Sequence, residues 1–493
     1  MKIPGISFLL VAVLAGMVFS QTVAITGRVT DANGKPLTNT LVRMGVGMLY
    51  ASTNANGYYA LGAGVVGAIE TDKAGRGDAF PQPSLVAGKV LFSLPESGMP
   101  VRMSLFDMNG RFVKDVMNSR PVKGNYAVFV DKGELSNQNY LLRLTINGVS
   151  HVMKLPAVMH GSAAATPQSY SGIAARLQKL AAVLDTLHAT EPGYSVGKTP
   201  IQALTGNYDF QLTKTSTWTG DTAGFWGDTS KVKKASGKIL FTVINRTNGA
   251  YADSQIYWAV GDFGAAHRLS DSSTIDLTTN ASGRLYIMLG EAKRTNTNYW
   301  DFEEHTCGGG VYNGNLTRVD AFGTPMAMRL HCTDGYDIAR GEDYHVFYQP
   351  RQSIFDEFTN EVPFQFTGCG VLQAPYRIPN PGGTPQFSTG GLYAHYWDAY
   401  AASVGVTAGP YLNGIASPQV SAGMHRHVMQ LSAADQQLDK NFYQAAPCNF
   451  YSYFLHRRAI DRHQYGFPYD DCYGWSSYIS HGNAQWLLLA VGY

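Results

Sequence analysis

Glu304 and Asp320 stand sixteen positions apart in DFEEHTCGGGVYNGNLTRVDAFGTPMAM, residues 301–328, with Thr306, Tyr312 and Thr317 between them. Cleaving an acetal needs one carboxylic acid to protonate the leaving oxygen and one carboxylate on the other side of the sugar, so this pair could hydrolyse a glycoside. The chemistry requires the two segments to be neighbours. If 301–306 and 316–322 are strands joined by the turn residues Gly308–Gly310 and Asn313–Asn315, the two acids stand near each other across the ladder. Thr306, two positions on, then shares the face of Glu304. A separation of roughly 6.5–9.5 Å leaves room for a water and gives inversion, whereas roughly 5 Å gives retention. Two acids on one hairpin equally describe a solvated surface, and the residues alone leave both readings open.

The catalytic reading carries an electrostatic requirement. Glu304 must hold a proton near neutral pH, through desolvation or the charge of Asp320, while Asp320 stays ionised among hydrogen-bond donors. No imidazole is needed, so His305, His331, His463 and His481 are expected to be surface or hydrogen-bonded residues. No cofactor and no metal are expected. The five cysteines, Cys307, Cys332, Cys369, Cys448 and Cys472, contain no C-x-x-C pair and no neighbouring histidine pair at zinc spacing. Export would permit disulfides. Two bridges and one free thiol are expected, with Cys448 and Cys472 the favoured pair.

The elements that must position these residues are mostly strands. A chain of 493 residues exceeds one core and implies two to four domains. With a formal charge of +2 and 15% charged residues, the chain lacks the basic footprint of a nucleic-acid binder. Its 53 glycines and 29 tyrosines favour short strands and turns. Residues 1–20 have the charged, apolar and small-residue layout of a signal peptide, so secretion to the cell surface, the medium or the periplasm is expected. No later run reaches the roughly 18 to 20 apolar residues of a membrane span.

Alternating strands flank Asn33-Gly34 and Asn56-Gly57, a hairpin signature because both residue types tolerate positive φ. Residues 88–155 repeat strand, Asn-Gly turn, strand. Residues 184–212 read as the last strands of the first sandwich, so 88–155 is expected to be an insertion within a β-sandwich region of 21–212. Ile173, Leu177, Leu180, Leu184 and Leu187 recur at helical spacing. The polar stretch 213–236 reads as a linker. Residues 237–493 then form the remaining domain, β-rich at first, with helical spacing over 431–463 at Leu438, Phe442, Ala445, Tyr451, Leu455 and Ile460.

Several ordered blocks carry a resemblance to a known family: VINRTNG, FEEHT followed by TRVDAFGTPMAM, FYQAAPCNFYSYFLHRRA, and YGFPYDDCYG. On these, residues 238–493 resemble glycoside hydrolase family 64, the inverting β-1,3-glucanases with a thaumatin-like sandwich beside a mixed α/β subdomain and a wide cleft. The resemblance implies Glu304 as general acid and Asp320 as general base. Glu303 is adjacent, but only Glu304 has Thr306 at plus two and the family spacing to Asp320. Thr306 and Thr317 match glucan-contacting threonines. The family asparagine four positions after the acid is Gly308 here, and the family tryptophan of the connecting turn is displaced as Tyr312, which would offer a sugar ring a flat face. Residues 27–61 resemble a carboxypeptidase regulatory-like domain, and 88–155 a bacterial sorting module.

The expected protein is thus mainly β, with an N-terminal sandwich region followed by a thaumatin-like sandwich or barrel. It would be a secreted, monomeric endo-type enzyme hydrolysing β-1,3-glucan with inversion. A non-catalytic β-1,3-glucan-binding protein of thaumatin-like fold is the alternative. A surface adhesin would account only for the first half.

Overall fold

The computed structural model describes residues 23–45, 49–62, 84–86, 89–94, 98–108, 110–121, 124–129, 140–155, 168–169, 185–201, 203–237, 239–277, 281–308 and 310–493. The expected signal segment and the stripe from Ile173 to Leu184 lie outside them. Leu187, the last member of that stripe, sits in the strand Asp185–Thr190 with its side chain in a sandwich core.

The fold is mainly β. Strand Ala24–Asp31 pairs antiparallel with Tyr58–Gly62 and parallel with Thr205–Asn207 and Phe210–Leu212. Strand Leu41–Met44 pairs with Asp185–Thr190 in a facing sheet. The chain therefore leaves this sandwich after Gly62 and re-enters it at Asp185. Alternation explains the first strand: Ile25 and Val29 are fully buried, while Ala24 and Thr26 face out. Between the two halves, strands Val101–Asp107 and Tyr140–Ile146 pair in one sheet and Lys89–Leu94 and Gly124–Phe129 in another. Val90, Phe92, Met103, Leu105, Leu142 and Leu144 form the apolar core of that inserted region.

Residues 213–236 are packed rather than free. Trp218 stacks on Tyr344 at 5.3 Å, and Phe225 and Trp226 in the short helix Thr222–Trp226 are buried. Three aromatic side chains anchor this polar stretch to the carboxy-terminal region.

In that region, a five-stranded sheet ordered Thr274–Leu277, Ile239–Asn245, Ala484–Val491, Met326–Cys332, Asp337–Gly341 faces a six-stranded one. The latter runs His267–Arg268, Ile256–Val260, Ala281–Leu289, Tyr299–Gly308, Val311–Asn315, Ile479–Gly482. Phe241, Val243, Leu487 and Leu489 from the first meet Ile256, Leu285 and Ile287 from the second in one core. The sheets are open, so the barrel alternative is set aside: no closed barrel occurs among the described residues.

The helical part is broader than 431–463. Helix Arg351–Glu361 lies between Pro350 and Pro363 and buries Ile354, Phe355 and Phe358. Within 431–463, Leu438 and Phe442 flank short 3₁₀ turns, and only Phe450–His456 forms an α-helix, capped by the Asn449 side chain accepting from the Ser452 amide. All five cysteines are free thiols, which overturns the expected Cys448–Cys472 bridge. Cys448 is fully buried beside the Tyr50 hydroxyl, whereas Cys472 lies at a partly exposed turn.

Arg318 joins the sandwich to the helical part. Fully buried, it ion-pairs with Asp301, donates from Nε and Nη2 to Glu342 at 2.9 and 2.7 Å, and donates to the Thr324 carbonyl. Its own amide donates to the Tyr465 carbonyl, and its carbonyl accepts from the Tyr451 hydroxyl. Burial works against its charge, but Asp301 and then Glu342 outweigh that and hold the guanidinium protonated. Replacing Arg318 with Met would leave two buried carboxylates uncompensated. A loss of about 3–5 kcal/mol is expected, read as a lower urea midpoint at unchanged m-value; an unchanged midpoint would remove Arg318 from this role.

Candidate active site

Along the strand Tyr299–Gly308, neighbouring residues point to opposite faces, and this separates the two glutamates. Glu303 is fully buried. Its Oε2 lies 2.8 Å from His305 Nδ1, and its Oε1 accepts the Tyr312 hydroxyl at 2.7 Å. Glu304 faces outward, half-buried, with Thr306 next along the row. Its Oε1 accepts both Nε and Nη2 of Arg284 at 2.8 Å, from the directly opposed position on strand Ala281–Leu289. Both donors engage one oxygen, Oε1. The Arg284 guanidinium lies 4.5 Å from the Phe302 ring centre, which fixes its plane from below.

The outer face continues in polar groups. The Thr306 hydroxyl shares a 2.9 Å hydrogen bond with Ser282. Asn313, opposite Thr306, accepts at Oδ1 from the Tyr478 and Ser480 hydroxyls, each at 2.8 Å. Asn315, opposite Glu304, has a buried Oδ1 with no hydrogen-bond partner. A row of hydroxyls and amides around one carboxylate is suited to hold a polyhydroxylated ligand.

Asp320 is placed differently from the expectation. The ladder partner of Tyr299–Gly308 is Val311–Asn315, not 316–322, so Glu304 opposes Asn315 rather than Asp320. After Asn315 the chain leaves the sheet: Thr317 bridges Tyr465, Arg318 is drawn into the core, and Ala321–Phe322 pairs with Ile378–Pro379. Asp320 is exposed at the bend before that short strand, where its carbonyl accepts the Asn380 amide at 2.9 Å. The inward pull on Arg318 and the register of 321–322 therefore set the position of Asp320, not strand pairing. Tyr465 neighbours the segment that carries Asp320. It bridges Thr317, three residues before Asp320, and its hydroxyl is raised in pKa by burial first and then by Asp471, Asp470 and Glu304.

Tyr312 is not a sugar platform. It is 1% exposed, its ring lies in the sandwich core, and its hydroxyl serves Glu303. The alternation that turns Glu304 outward turns Tyr312, opposite Cys307, inward. Thr317 is 7% exposed, and its hydroxyl accepts the Val319 amide, so it shapes the turn leading to Asp320. The exposed ring tied to this face is that of Tyr478, whose hydroxyl donates to Asn313. The histidines pair as expected: His305 with Glu303, His331 with Asp337 and stacked on Trp486, His463 stacked on Trp475, and His481 with Asp334. Arg284 was missed by sequence reading, although Ser282 and Arg284 at alternate positions ahead of the apolar run LYIML announce a strand with a polar outer face.

Residues 401–491 match the family model of glycoside hydrolase family 64, described as beta-1,3-glucanase. The fold and this match define a mainly β chain with a carboxy-terminal segment similar to beta-1,3-glucanases. No curated protein matches the chain. Among solved structures, the chain is similar to a laminaripentaose-producing beta-1,3-glucanase of that family from Paenibacillus barengoltzii, at 21% identity and a TM-score of 0.49, covering 84% of this chain and 100% of that one. The same enzyme complexed with laminarihexaose gives a TM-score of 0.48 at the same identity and coverage. A family 64 beta-1,3-glucanase domain from Clostridium beijerinckii shows 22% identity and a TM-score of 0.47, covering 53% of this chain and all of that one.

The buried pair behind the site makes stability depend on pH. Burial lowers the pKa of His305, but the hydrogen bond and charge of Glu303 outweigh it, so the folded value lies above the ordinary one. The pair's contribution is fully present below the unfolded value of about 6.5 and is lost as pH rises through the folded value. The difference in Tm between wild type and Glu303→Gln is expected to be larger at pH 6 than at pH 9; equal differences would contradict the charged pair.

Proposed function

We propose that this chain hydrolyses β-1,3-glucan, with Glu304 as the proton donor to the leaving oxygen and Asp320 as the base that activates water, with inversion at the anomeric carbon. The observation that carries this reading is the outward placement of Glu304 among hydroxyls and amides while the adjacent Glu303 is consumed by the core. The match of residues 401–491 to a beta-1,3-glucanase model supplies the substrate class. In this reading Arg284 orients Glu304 through one oxygen, and because the guanidinium favours the charged carboxylate, Glu304 takes up the proton it delivers only once bound sugar desolvates the pair. Thr306, Asn313 and Ser480 bind sugar hydroxyls beside it, with Asn313 supplying the amide that Gly308 cannot. The N-terminal sandwiches are accessory, the first regulatory-like and the inserted one sorting-module-like, and the protein is secreted and monomeric.

Two observations favour a second reading, a glucan-binding protein without hydrolysis. The matched segment 401–491 contains neither acid, and Glu304 and Asp320 do not oppose each other on paired strands. Reducing-sugar release from laminarin separates the two readings, because pull-down on curdlan without soluble product supports binding alone. For the enzyme, Glu304→Gln and Asp320→Asn are each expected to lower kcat by at least about 100-fold with an unchanged melting curve. Near-full activity in either variant removes that residue from the mechanism. Proton NMR of the first-formed product should show the α-anomer; the β-anomer would contradict inversion.

The sugar platform is expected to be Tyr478 rather than Tyr312. Tyr478→Ala should raise KM about five-fold, as for loss of one ring–sugar contact. Tyr312→Phe should lower stability by about 1–3 kcal/mol through the stranded Glu303 oxygen, with KM unchanged. The reverse pattern would restore Tyr312 as the platform.

A further inference from the structure

Away from Glu304, at one end of the sandwich, three side chains converge that no sequence spacing announces. One candidate ligand atom from each of Cys332, Asp334 and His481 lies within 4.8 Å of the other two. Cys332 ends the strand Met326–Cys332 of the five-stranded sheet, where the register shifts between His331 and Cys332. Asp334 lies in the following turn, closed by the Gly335 amide donating to the Cys332 carbonyl at 3.1 Å. His481 comes from the strand Ile479–Gly482 of the six-stranded sheet. The three groups therefore bridge the two sheets.

We propose that Cys332, Asp334 and His481 form a structural site for a thiophilic divalent cation, Zn²⁺ foremost, that clips the two sheets together. Thiolate, imidazole and carboxylate are the ligand types zinc takes, and three protein ligands with one water complete a tetrahedron. The geometry is close to that requirement. His481 Nε2 and Asp334 Oδ2 are 3.0 Å apart, against roughly 3.3 Å for two such ligands on one tetrahedral zinc. The sulfur lies within 4.8 Å of both, against roughly 3.6 Å for a sulfur and a nitrogen or oxygen on one tetrahedral zinc. Supporting contacts hold the ligands: the His481 ring lies flat on Tyr336, with centroids 3.8 Å apart and planes 8° apart. Asp334 Oδ1 accepts the Tyr336 amide at 3.1 Å. Such contacts orient metal ligands. On binding, Cys332 releases its thiol proton to solvent, the hydrogen that His481 Nε2 donates to Asp334 moves through solvent to Nδ1 so that the imidazole stays neutral, and the metal takes the freed Nε2 together with the carboxylate.

The test uses the full chain, stripped with a chelator and then given Zn²⁺ alone. One equivalent is expected to remain after desalting, and Tm should rise by about 5 °C at a Zn²⁺ concentration about 100 times Kd. Co²⁺ in place of Zn²⁺ should give a thiolate-to-metal charge-transfer band. Cys332 is fully buried and its replacement could perturb folding, so the part-exposed His481→Gln and exposed Asp334→Asn carry the decision. Each should weaken binding at least ten-fold with the melting curve of the metal-free protein retained, and Cys332→Ser should remove the band. Absence of retained metal, absence of the band, or wild-type affinity in His481→Gln would each overturn the site.

Discussion

The arrangement depends on a buried guanidinium. Arg318 lies two residues before Asp320 and one after Thr317, and its contacts reach Asp301 at the start of the Glu304 strand, Glu342, and the backbone of Tyr465. A charge in this position cannot drift, because any displacement strands it or its carboxylates without compensation. Asp301 is further held by the amides of Gly323 and Thr324, and Glu342 by Gln464 and the Met326 amide. The segment that carries one candidate acid is thereby tied to the strand that carries the other without a shared ladder. Strand pairing would have fixed the two acids in register; the ion network ties their segments together across a bend instead.

A second constraint is the period of two along Tyr299–Gly308. Asp301, Glu303, His305 and Cys307 turn inward, and Phe302, Glu304 and Thr306 lie on the other side. The inward row is unusually polar for a sandwich core, and each charged member has a partner: Arg318 for Asp301, and His305 with Tyr312 for Glu303. Such a row specifies register strongly, since a slip by one residue would bury Glu304 and Thr306 and expose the Glu303 pair. The buried pair contributes little net stability by itself, but it leaves one alignment of this strand satisfied.

The mainly β class was legible in the sequence because alternation and Asn-Gly turns are local signals; Asn33-Gly34 and Asn56-Gly57 both fall at strand connections. The outward placement of Glu304 was also legible, since Thr306 at plus two requires a shared face on any strand. What failed was non-local. Pairing 301–306 with 316–322 assumed that the turn spanned Gly308–Asn315, whereas Val311–Asn315 is itself a strand that pairs back from Val311 opposite Gly308. That single misplacement put Tyr312 in a turn and Asp320 on a ladder. Arg318 gave no signal, because a buried arginine reads in sequence like an exposed one. The cysteines misled for a related reason: export permits bridges, but five thiols distributed over separate cores and one turn do not meet.

The helical part also depends on paired charge. Glu357 and Glu361 stand four apart on helix Arg351–Glu361, and both accept from Arg458 Nη2, at 2.7 and 2.9 Å. Arg457 pairs with Glu361 and donates to the carbonyls of Asn39 and Thr190 in the first sandwich. Arg43 of that sandwich donates in turn to the Asn360 carbonyl at 2.9 Å, and the Tyr50 hydroxyl to the Tyr443 carbonyl at 2.7 Å. These arginines donate mainly to backbone carbonyls, and Arg457 also pairs with the Glu191 carboxylate at 3.4 Å. Burial raises the carboxyl of Glu357 above its ordinary range despite Arg458, whereas Arg457 and Arg458 outweigh burial at Glu361 and hold its carboxyl below that range. The N-terminal region thus helps to hold the charges that seat helix Phe450–His456, and that helix carries Tyr451, whose hydroxyl caps the Arg318 carbonyl. Removal of the first sandwich would reach the candidate site through this chain of buried charges.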